Sequence, residues 1–201
     1  MTMFAEKVAA AVAIICLTCV SAYPSGPPVG SCVTMFPSGH NKTGQTSETP
    51  FEILISKTSI KGGDSTGIEV TLRVKDAKKE QFDFEGVFVQ ARKGNSPTPV
   101  GTFKLHSGES YLKTMKCTYD NSAVSHKKEE EYTERKLTWL PPASVTEKQK
   151  IQFRGTFVKN LETFWIDVKS PELTLMVGAS PTLISSAVLI LSLLFATRSI
   201  V

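Results

Sequence analysis

The residues of this chain that could do chemistry are four cysteines and three histidines, and their spacing argues against a catalytic or metal site. His40, His106 and His126 lie far apart, and none is three or four residues from another histidine or a cysteine, as zinc ligands usually are. A phosphate-binding glycine loop and a His-Glu-x-x-His pair are also missing. The sequence therefore predicts no enzymatic activity, no metal ion and no cofactor.

The cysteines predict one disulfide bond. Cys16 and Cys19 lie in an apolar N-terminal stretch that is typical of an export leader and is lost with it, which leaves Cys32 and Cys117. Export into an oxidising compartment favours a bond between these two, and a pair of buried free thiols is the alternative. In the loop-entropy description, a disulfide that closes a loop of this length stabilises the folded state by roughly 4.5 kcal/mol.

The N-terminal leader is predicted to comprise residues 1–22. It has a weakly basic start at Lys7, an apolar core from Val8 to Val20, and small residues before the expected cleavage after Ala22. The apolar core is too short to cross about 30 Å of hydrocarbon, so a retained anchor is the weaker alternative.

The C-terminal tail, residues 179–201, carries a second apolar run at Leu183–Ala196, just after the small residues Gly178-Ala179-Ser180. This order is typical of a signal for glycosylphosphatidylinositol attachment, the GPI anchor. A single-pass helix with Arg198 at the cytoplasmic membrane face and a form released by proteolysis are the alternatives. The membrane alternatives place one domain, residues 23–178, outside the cell, either secreted or tethered to the plasma membrane.

Charge argues against a nucleic-acid partner. The whole chain carries +4; Glu6 and Lys7 cancel in the leader and Arg198 leaves with the tail, so the body carries +3, with acids and bases interspersed. A group of cations that are close in the sequence could contact anionic polysaccharide or lipopolysaccharide, ordinary surface lysines being the alternative: Lys57, Lys61, Arg73, Lys75, Lys78 and Lys79.

Two further residues have possible binding or modification roles. Arg92 could bind an anionic ligand, or it could donate hydrogen bonds to loop carbonyls. Asn41 begins Asn41-Lys42-Thr43, which is an acceptor triplet for N-glycosylation and would then be exposed.

The body shows the alternating pattern of β-strands, most clearly in Ile68–Val74, where apolar and polar residues alternate strictly. Lys127–Lys136 is charged all round and is expected to be a solvated loop, and Tyr23–Gly44 is expected to be irregular chain held by Cys32. We expect an all-β antiparallel sandwich of eight or nine strands. The other predicted strands are Phe51–Ser56, Phe84–Ala91, Val100–Leu105, Tyr111–Cys117, Lys136–Leu140, Ile151–Val158, Phe164–Lys169 and Glu172–Met176.

The core is expected to contain Phe153, Phe157, Phe164 and either Trp139 or Trp165, because an aromatic residue at a strand position usually packs inside. For His126 we expect a buried, hydrogen-bonded ring rather than a ligand for a metal.

Several motifs follow one another in order over about residues 23–173. They are Cys32-x-x-Met35-x-Pro37, Phe84–Arg92, Pro99–Phe103, Cys117, Ala123–His126, Leu137-Thr138-Trp139, Thr156-Phe157-Val158 and Phe164-Trp165-Ile166. Together they resemble the reeler domain family. This resemblance implies an immunoglobulin-like sandwich, a bridge between Cys32 and Cys117, and binding rather than catalysis.

Short chains with little more than this module resemble insect-type defence proteins, which implies an extracellular role in innate immunity against bacteria, through binding to microbial surfaces. The alternative is an adhesion or matrix module that binds glycosaminoglycan or a partner protein. Larger relatives include ferric-chelate reductases, but the haem-bearing membrane part that would do the redox work is missing here, so reductase activity is not expected.

Overall fold

A computed structural model describes residues 23–179, and these form an all-β domain with three short 3-10 helices at Val29–Cys32, Ser38–His40 and Asp76–Lys78. The predicted leader and almost all of the predicted tail lie outside the described residues. The strands are β1 (Phe51–Ile55), β2 (Ser59–Lys61), β3 (Ile68–Val74), β4 (Gly86–Arg92), β5 (Thr102–Lys104), β6 (Leu112–Met115), β7 (Ala123–His126), β8 (Glu134–Leu140), β9 (Ser144–Val145), β10 (Gln149–Asn160), β11 (Thr163–Lys169), β12 (Leu173–Met176) and β13 (Gly178–Ala179).

Two sheets pack face to face. The small sheet has the strand order β1-β3-β8-β5, and the large sheet has the order β2-β12-β10-β4-β7-β6, with β11 also paired to β10. The pairing is antiparallel throughout except between β2 and β12, and β9 pairs separately with β13. The architecture is a β-sandwich, as the sequence predicts.

Alternation decides which side chains enter the core. In β3 the apolar residues are buried and the polar residues between them are half-exposed, because successive side chains point to opposite faces. Aromatic rings from both sheets then meet: Phe51 stacks on Phe157 with centroids 4.9 Å apart, and Trp139 meets the edge of Phe153 at 5.6 Å. Such pairs add about 0.5–1.5 kcal/mol beyond the area they bury.

The large sheet is covered on its outer face as well. All seven residues of β4 are buried: Val87, Val89 and Ala91 face the core, whereas Phe88, Gln90 and Arg92 face away from it. The chain that covers this outer face is residues 23–47, which we call the N-terminal cover. It is irregular apart from two short 3-10 helices, as expected for a segment rich in proline and glycine.

One covalent bond ties the N-terminal cover to the large sheet. Cys32 is bonded to Cys117, just after β6, across a sequence separation of 85 residues, with a Cα–Cα distance of 5.5 Å. Ser122 is fully buried, and its hydroxyl accepts the backbone N–H of Cys117 at 3.0 Å and of Thr118 at 3.3 Å. The predicted disulfide is therefore present, and the turn that carries Cys117 is itself fixed.

Every predicted strand is present, but the described residues contain thirteen strands, more than the eight or nine expected. The additional strands are β2, β7, β9 and β13, none longer than four residues. The prediction of a loop over Lys127–Lys136 is wrong for its last residues, because β8 already begins at Glu134. In β8 the guanidinium of Arg135 lies 3.3 Å from the ring centroid of Tyr132, so this charged residue occupies a strand position while it stacks on an aromatic ring.

The expected core residues are all buried, with both Trp139 and Trp165 inside. Phe164 is the exception in its location: it lies on the outer face of the large sheet, where Phe36 and His40 of the N-terminal cover pack against it edge-on. At the other end of the domain, strand pairing continues to Ala179, one residue beyond the predicted boundary at 178. Within residues 23–179 there is no helix of the length and apolar character needed to cross a bilayer.

Replacing both cysteines, as Cys32→Ala with Cys117→Ala, is expected to lower the free energy of unfolding by about 2–5 kcal/mol, because the unfolded chain regains the freedom of a long loop. Urea unfolding measures the loss, and hydrogen exchange should show the amides around Val29–Met35 opening before those of β4 and β10. Reduction of the wild-type protein is the matched control and should reproduce both effects. A loss below about 1 kcal/mol with unchanged exchange would contradict the assigned role of the bond.

Candidate functional site

Cys32 is held by hydrogen bonds as well as by its disulfide. Its carbonyl oxygen accepts from Arg92 Nη2 at 2.6 Å and from Gln90 Nε2 at 3.1 Å, both on β4. Arg92 Nη2 also donates to the carbonyl of Val33 at 3.1 Å, and Arg92 Nε donates to Gln90 Oε1 at 2.8 Å. These bonds fix the N-terminal cover where it crosses β4.

Further contacts fix the cover on β10 and β11. The Thr156 hydroxyl donates to the carbonyl of Met35 at 2.5 Å, and His40 Nδ1 lies 2.8 Å from the carbonyl oxygen of Leu161. Gln45 N–H donates to the carbonyl of Phe164, and the indole N–H of Trp165 donates to that of Ser47. The cover is thus attached at several separate points over the outer face.

A cavity of about 220 Å³ remains between the N-terminal cover and the sheet, and we call it the cover cavity. It lies at the beginning of β4 and the end of β10. Its apolar lining includes Pro27, Pro28, Met35, Phe36, Phe88 and Val158, and its polar lining includes Ser31, Glu85, His126, Glu129 and Asn160. A partly apolar concavity with a few convergent polar groups is the usual form of a small-molecule site.

His126 closes one side of the cover cavity as a neutral ring. Val87 N–H donates to Nδ1 at 3.1 Å, so Nδ1 is the acceptor and Nε2 carries the proton that it donates to the Tyr23 carbonyl at 3.2 Å. Burial lowers the pKa of His126, and the charge of Lys113 lowers it further, while the carbonyl oxygens of Val87 and Tyr23, which accept from a protonated ring, and the charge of Glu129 act the other way. The ring is hydrogen-bonded as expected, but it is half-buried rather than fully buried.

Glu85 and Glu129 form what we call the acidic rim of the cover cavity. Neither carboxylate has a hydrogen bond or ion pair within residues 23–179. Burial raises the pKa of Glu85, and the negative charges of Glu129, Glu131 and Asp83 raise it further. The rim is therefore a place of uncompensated negative charge.

Of the two roles that the sequence leaves open for Arg92, the structure shows the structural one. Arg92 is only 6% exposed, and its hydrogen bonds go to the carbonyls of Cys32 and Val33 and to Gln90. Burial lowers the pKa of Arg92, and neighbouring Arg154 lowers it further. The guanidinium is turned into the protein and is not presented to an anionic ligand, so the anion-site prediction for Arg92 is not supported.

The lysines that are close in the sequence are not close in the structure. Lys57 follows the end of β1 at Ile55, whereas Lys75 follows the opposite end, where Val74 pairs with Phe51. At about 3.4 Å per residue the two ends are separated by roughly 20 Å. Residues Lys57 and Lys61 therefore form one group, and Arg73 and Lys75 belong to another.

Carboxylates neutralise much of the second group. Arg73 Nε lies 2.8 Å from Glu52 Oε1, and Arg73 Nη2 lies 3.3 Å from Asp76. Lys75 pairs with Glu48 at 2.8 Å. In the first group, Lys57 Nζ donates to the carbonyl of Gly67 at 3.4 Å, and Lys61 has no ion-pair partner within residues 23–179. The cations that are close in the sequence thus do not form one continuous patch in the described part of the chain.

Gly63–Gly67 has the Gly-x-Ser-x-Gly spacing of a hydrolase nucleophile elbow, a match that the expectation of no active site overlooks. That elbow requires a sharp turn from a strand into a helix, whereas this segment connects strands β2 and β3. The Asp64 carboxylate accepts from the backbone and hydroxyl of Thr66 and from Gly67 N–H, and the surface hollow beside Ser65 has no histidine in its lining. The segment is a loop stabilised by an aspartate.

Asn41 is exposed and has a positive φ of 48° at the end of a 3-10 helix. An exposed position is what glycosylation would require. Within residues 23–179, no cluster of three or more histidine, cysteine, aspartate or glutamate side chains has the geometry of a metal site.

Sequence reasoning missed the residues that hold the N-terminal cover or line the cover cavity. Gln90 and Thr156 lie inside predicted strands, where they appear as ordinary polar alternation. What distinguishes them is that they are buried on the outer face of the sheet. This burial depends on the path of the N-terminal cover, so no local sequence pattern indicates it. Glu85 was included only as part of a family motif, and Glu129 only as part of a charged loop.

Comparison with known proteins gives consistent results. The family model described as the Reeler domain matches residues 30–180. A Bombyx mori protein named as a candidate defense protein is 34% identical over 174 residues, which are 85% of this chain and 96% of that protein. Ferric-chelate reductase 1 of Mus musculus is 37% identical over 175 residues, but these are only 27% of the reductase.

Among solved structures, the human F-spondin reeler domain superposes with a TM-score of 0.52 at 17% identity, covering 67% of this chain and 95% of that domain. At this level of identity the likeness shows the fold alone, and it confirms the sandwich.

The substitution Arg92→Lys is expected to lower the free energy of unfolding by about 2 kcal/mol, because a single ammonium cannot serve Gln90, Cys32 and Val33 together and leaves buried acceptors unpaired. Urea unfolding measures the effect. Arg73→Lys is the matched control, and it should change stability by less than about 1 kcal/mol because its partners are partly exposed. Equal, small losses for both variants would contradict the structural role of Arg92.

The neutral state of His126 predicts that stability falls in mild acid. The unfolded ring titrates near its ordinary value and the folded ring below it, so the contribution of His126 is complete above the unfolded pKa and is lost as the pH falls through the folded pKa. The variant His126→Gln should therefore lose part of the wild-type decrease in stability between about pH 7.5 and pH 5, measured by urea unfolding.

The control for this pH effect is His106→Gln, because His106 is exposed and contacts only the Thr138 hydroxyl, at 3.3 Å. It should keep the wild-type pH dependence. The pKa of Glu85 is raised, so its contribution to the stability of the folded protein increases as the pH falls. Glu85 is present in all three proteins, and its contribution therefore cancels in the comparison. Identical pH profiles for wild type and His126→Gln would refute the assignment.

Proposed function

The chain belongs to the reeler domain family, and from this premise we propose that it is an extracellular, non-enzymatic defence protein that acts against bacteria by binding their surface. The observation that carries the proposal is the coverage of the Bombyx mori relative, 96% of which aligns with this chain. The two proteins share nearly their whole length, so a role that resides in that relative is carried by residues that have counterparts here.

Reductase activity is not part of the proposal. The aligned region is only 27% of the mouse ferric-chelate reductase, and what the two chains have in common is the reeler region. A shared domain in two proteins of different length does not transfer chemistry that belongs to the remaining part.

The partner that we propose is anionic polysaccharide or lipopolysaccharide, contacted through Lys57 and Lys61. These two cations are not paired with a carboxylate, whereas Arg73 and Lys75 of the same sequence cluster each are. A cation that is already paired has less electrostatic attraction left for a polyanion. Tethering to the outer face of the membrane through the tail, by a GPI anchor, is proposed as well, and phospholipase release of the protein from intact cells would test it.

Binding of the purified protein to whole bacteria is expected, with competition by lipopolysaccharide and weakening by salt. The double variant Lys57→Glu with Lys61→Glu should reduce the affinity about tenfold or more, since each lysine near an anionic surface contributes about 1 kcal/mol. A sedimentation assay with labelled protein measures this.

Lys75→Glu with Lys79→Glu makes the same charge change at the far end of β1, where both lysines already pair with carboxylates, and should have a much smaller effect. Glycosaminoglycan binding is tested in parallel on immobilised heparin. Retention on heparin without binding to bacteria would favour an adhesion or matrix role and would refute the defence proposal, as would an absence of binding to both.

A further inference from the structure

We infer that the cover cavity is a binding site for a small organic amine, whose apolar body enters the cavity while its ammonium group lies at the acidic rim formed by Glu85 and Glu129. This inference goes beyond the proposed function, because it concerns a different face of the domain and a ligand of opposite charge.

The size of the cavity sets the size of the ligand. An engineered apolar cavity of about 150 Å³ in another protein accepts benzene, so the cover cavity, at about 220 Å³, has room for one ring or a short branched chain with a small substituent. It is open to solvent near Tyr23, Glu129 and Leu161, which are exposed. A ligand can therefore enter without unfolding the cover.

The lining favours an apolar body. Met35 and Phe88 are 5% and 4% exposed and belong to the same apolar cluster on the outer face of the large sheet. Phe36 and Val158 add further apolar surface to the cavity. Phe36 and Phe88 also supply aromatic rings, which attract an ammonium group that approaches their faces.

One polar group of the lining is open to the cavity. Ser31 is 4% exposed and lines the cavity, and its hydroxyl makes no hydrogen bond within residues 23–179. The hydroxyl oxygen is not itself a buried unpaired atom, so it is accessible from the cavity. A polar atom of a ligand or a water molecule can therefore bond to it.

The charge of the rim selects a cation. Glu85 and Glu129 have no cationic partner in the described part of the chain, and nearby Lys128 is engaged with Glu130. The charge of Lys113 acts on His126, and its side chain lies against Gly26 of the cover. Burial, and then repulsion with Glu129, Glu131 and Asp83, makes ionised Glu85 unfavourable, and an ammonium group would relieve that repulsion. An anionic ligand of the same shape would be repelled.

The cavity is preformed because the cover is fixed on both sides of it. His126 holds Tyr23 on one side, and Thr156 holds Met35 on the other, while Cys32 is bonded to Cys117 between them. A site that needs no ordering on binding loses less free energy to conformational entropy.

Three probes of nearly equal size test the inference: 2-phenylethylamine, 2-phenylethanol and 3-phenylpropionate, titrated into the full chain by calorimetry and followed by NMR. The amine should bind at least about tenfold more tightly than the carboxylate, with the alcohol between them. NMR shifts should be confined to residues of the cover cavity.

The variant Glu85→Gln with Glu129→Gln should bring the amine-to-carboxylate ratio to about one while leaving the alcohol unchanged. Glu147→Gln with Glu172→Gln removes the same charge elsewhere on the surface and should keep the wild-type ratio. Val158→Phe fills the cavity and should abolish binding of all three probes. Should that variant fail to fold, the paired glutamine variants still decide between the outcomes.

Three results would overturn the inference. One is equal affinity for the three probes in the wild type, which would remove the role of the acidic rim. The second is an amine preference that survives in Glu85→Gln with Glu129→Gln, and the third is a set of NMR shifts that maps outside the cover cavity. None of these results depends on whether the protein binds bacteria, so the two proposals fail independently.

Discussion

The fold depends on a buried guanidinium group that forms no ion pair within residues 23–179 and is balanced mainly by hydrogen bonds to carbonyl oxygens. Arg92 stands on the outer face of β4, and the carbonyls of Cys32 and Val33 are among its acceptors. A buried charge costs several kcal/mol unless hydrogen bonds replace its hydration, so the large sheet needs the N-terminal cover as much as the cover needs the sheet. The disulfide at Cys32 fixes the same residue covalently. Sheet and cover therefore form one cooperative unit rather than a sandwich with a loose extension.

This constraint explains where a binding site can form. The core between the sheets is filled by interlocking aromatic rings and leaves no role for a ligand. The outer face of the large sheet is different, because its cover is irregular chain that meets the strands only at fixed points. Between the contacts at Tyr23 and Met35 the cover does not fill the space above β4 and β10, and the cover cavity is the result. The disulfide-bonded N-terminal cover thus stabilises the domain and also shapes the cover cavity.

The sequence predicted those features that depend on local patterns. Alternation in Ile68–Val74 predicted β3, and the loss of Cys16 and Cys19 with the leader left one pairing, which is present. Short strands such as β2 and β9 were missed because two or three residues show no periodicity. The separation of the sequence-clustered cations has a different cause: Lys57 and Lys75 flank an antiparallel pair, which places neighbours in sequence at opposite ends of a strand. The role of Arg92 required knowing which segment crosses β4, and no local pattern holds that information.

The negative charge of the acidic rim and the positive charge of Lys57 and Lys61 act separately. Ser59 is aligned through Thr174 with Lys150, and Val158 beside the acidic rim lies eight residues further along β10. At about 3.4 Å per residue the two regions are roughly 25 Å apart, about three times the Debye length at physiological salt. The body can thus carry a net positive charge while the acidic rim remains negative. The two interactions that we propose, with an anionic surface through Lys57 and Lys61 and with a cation in the cover cavity, therefore need not compete, because salt screens each charge from the other.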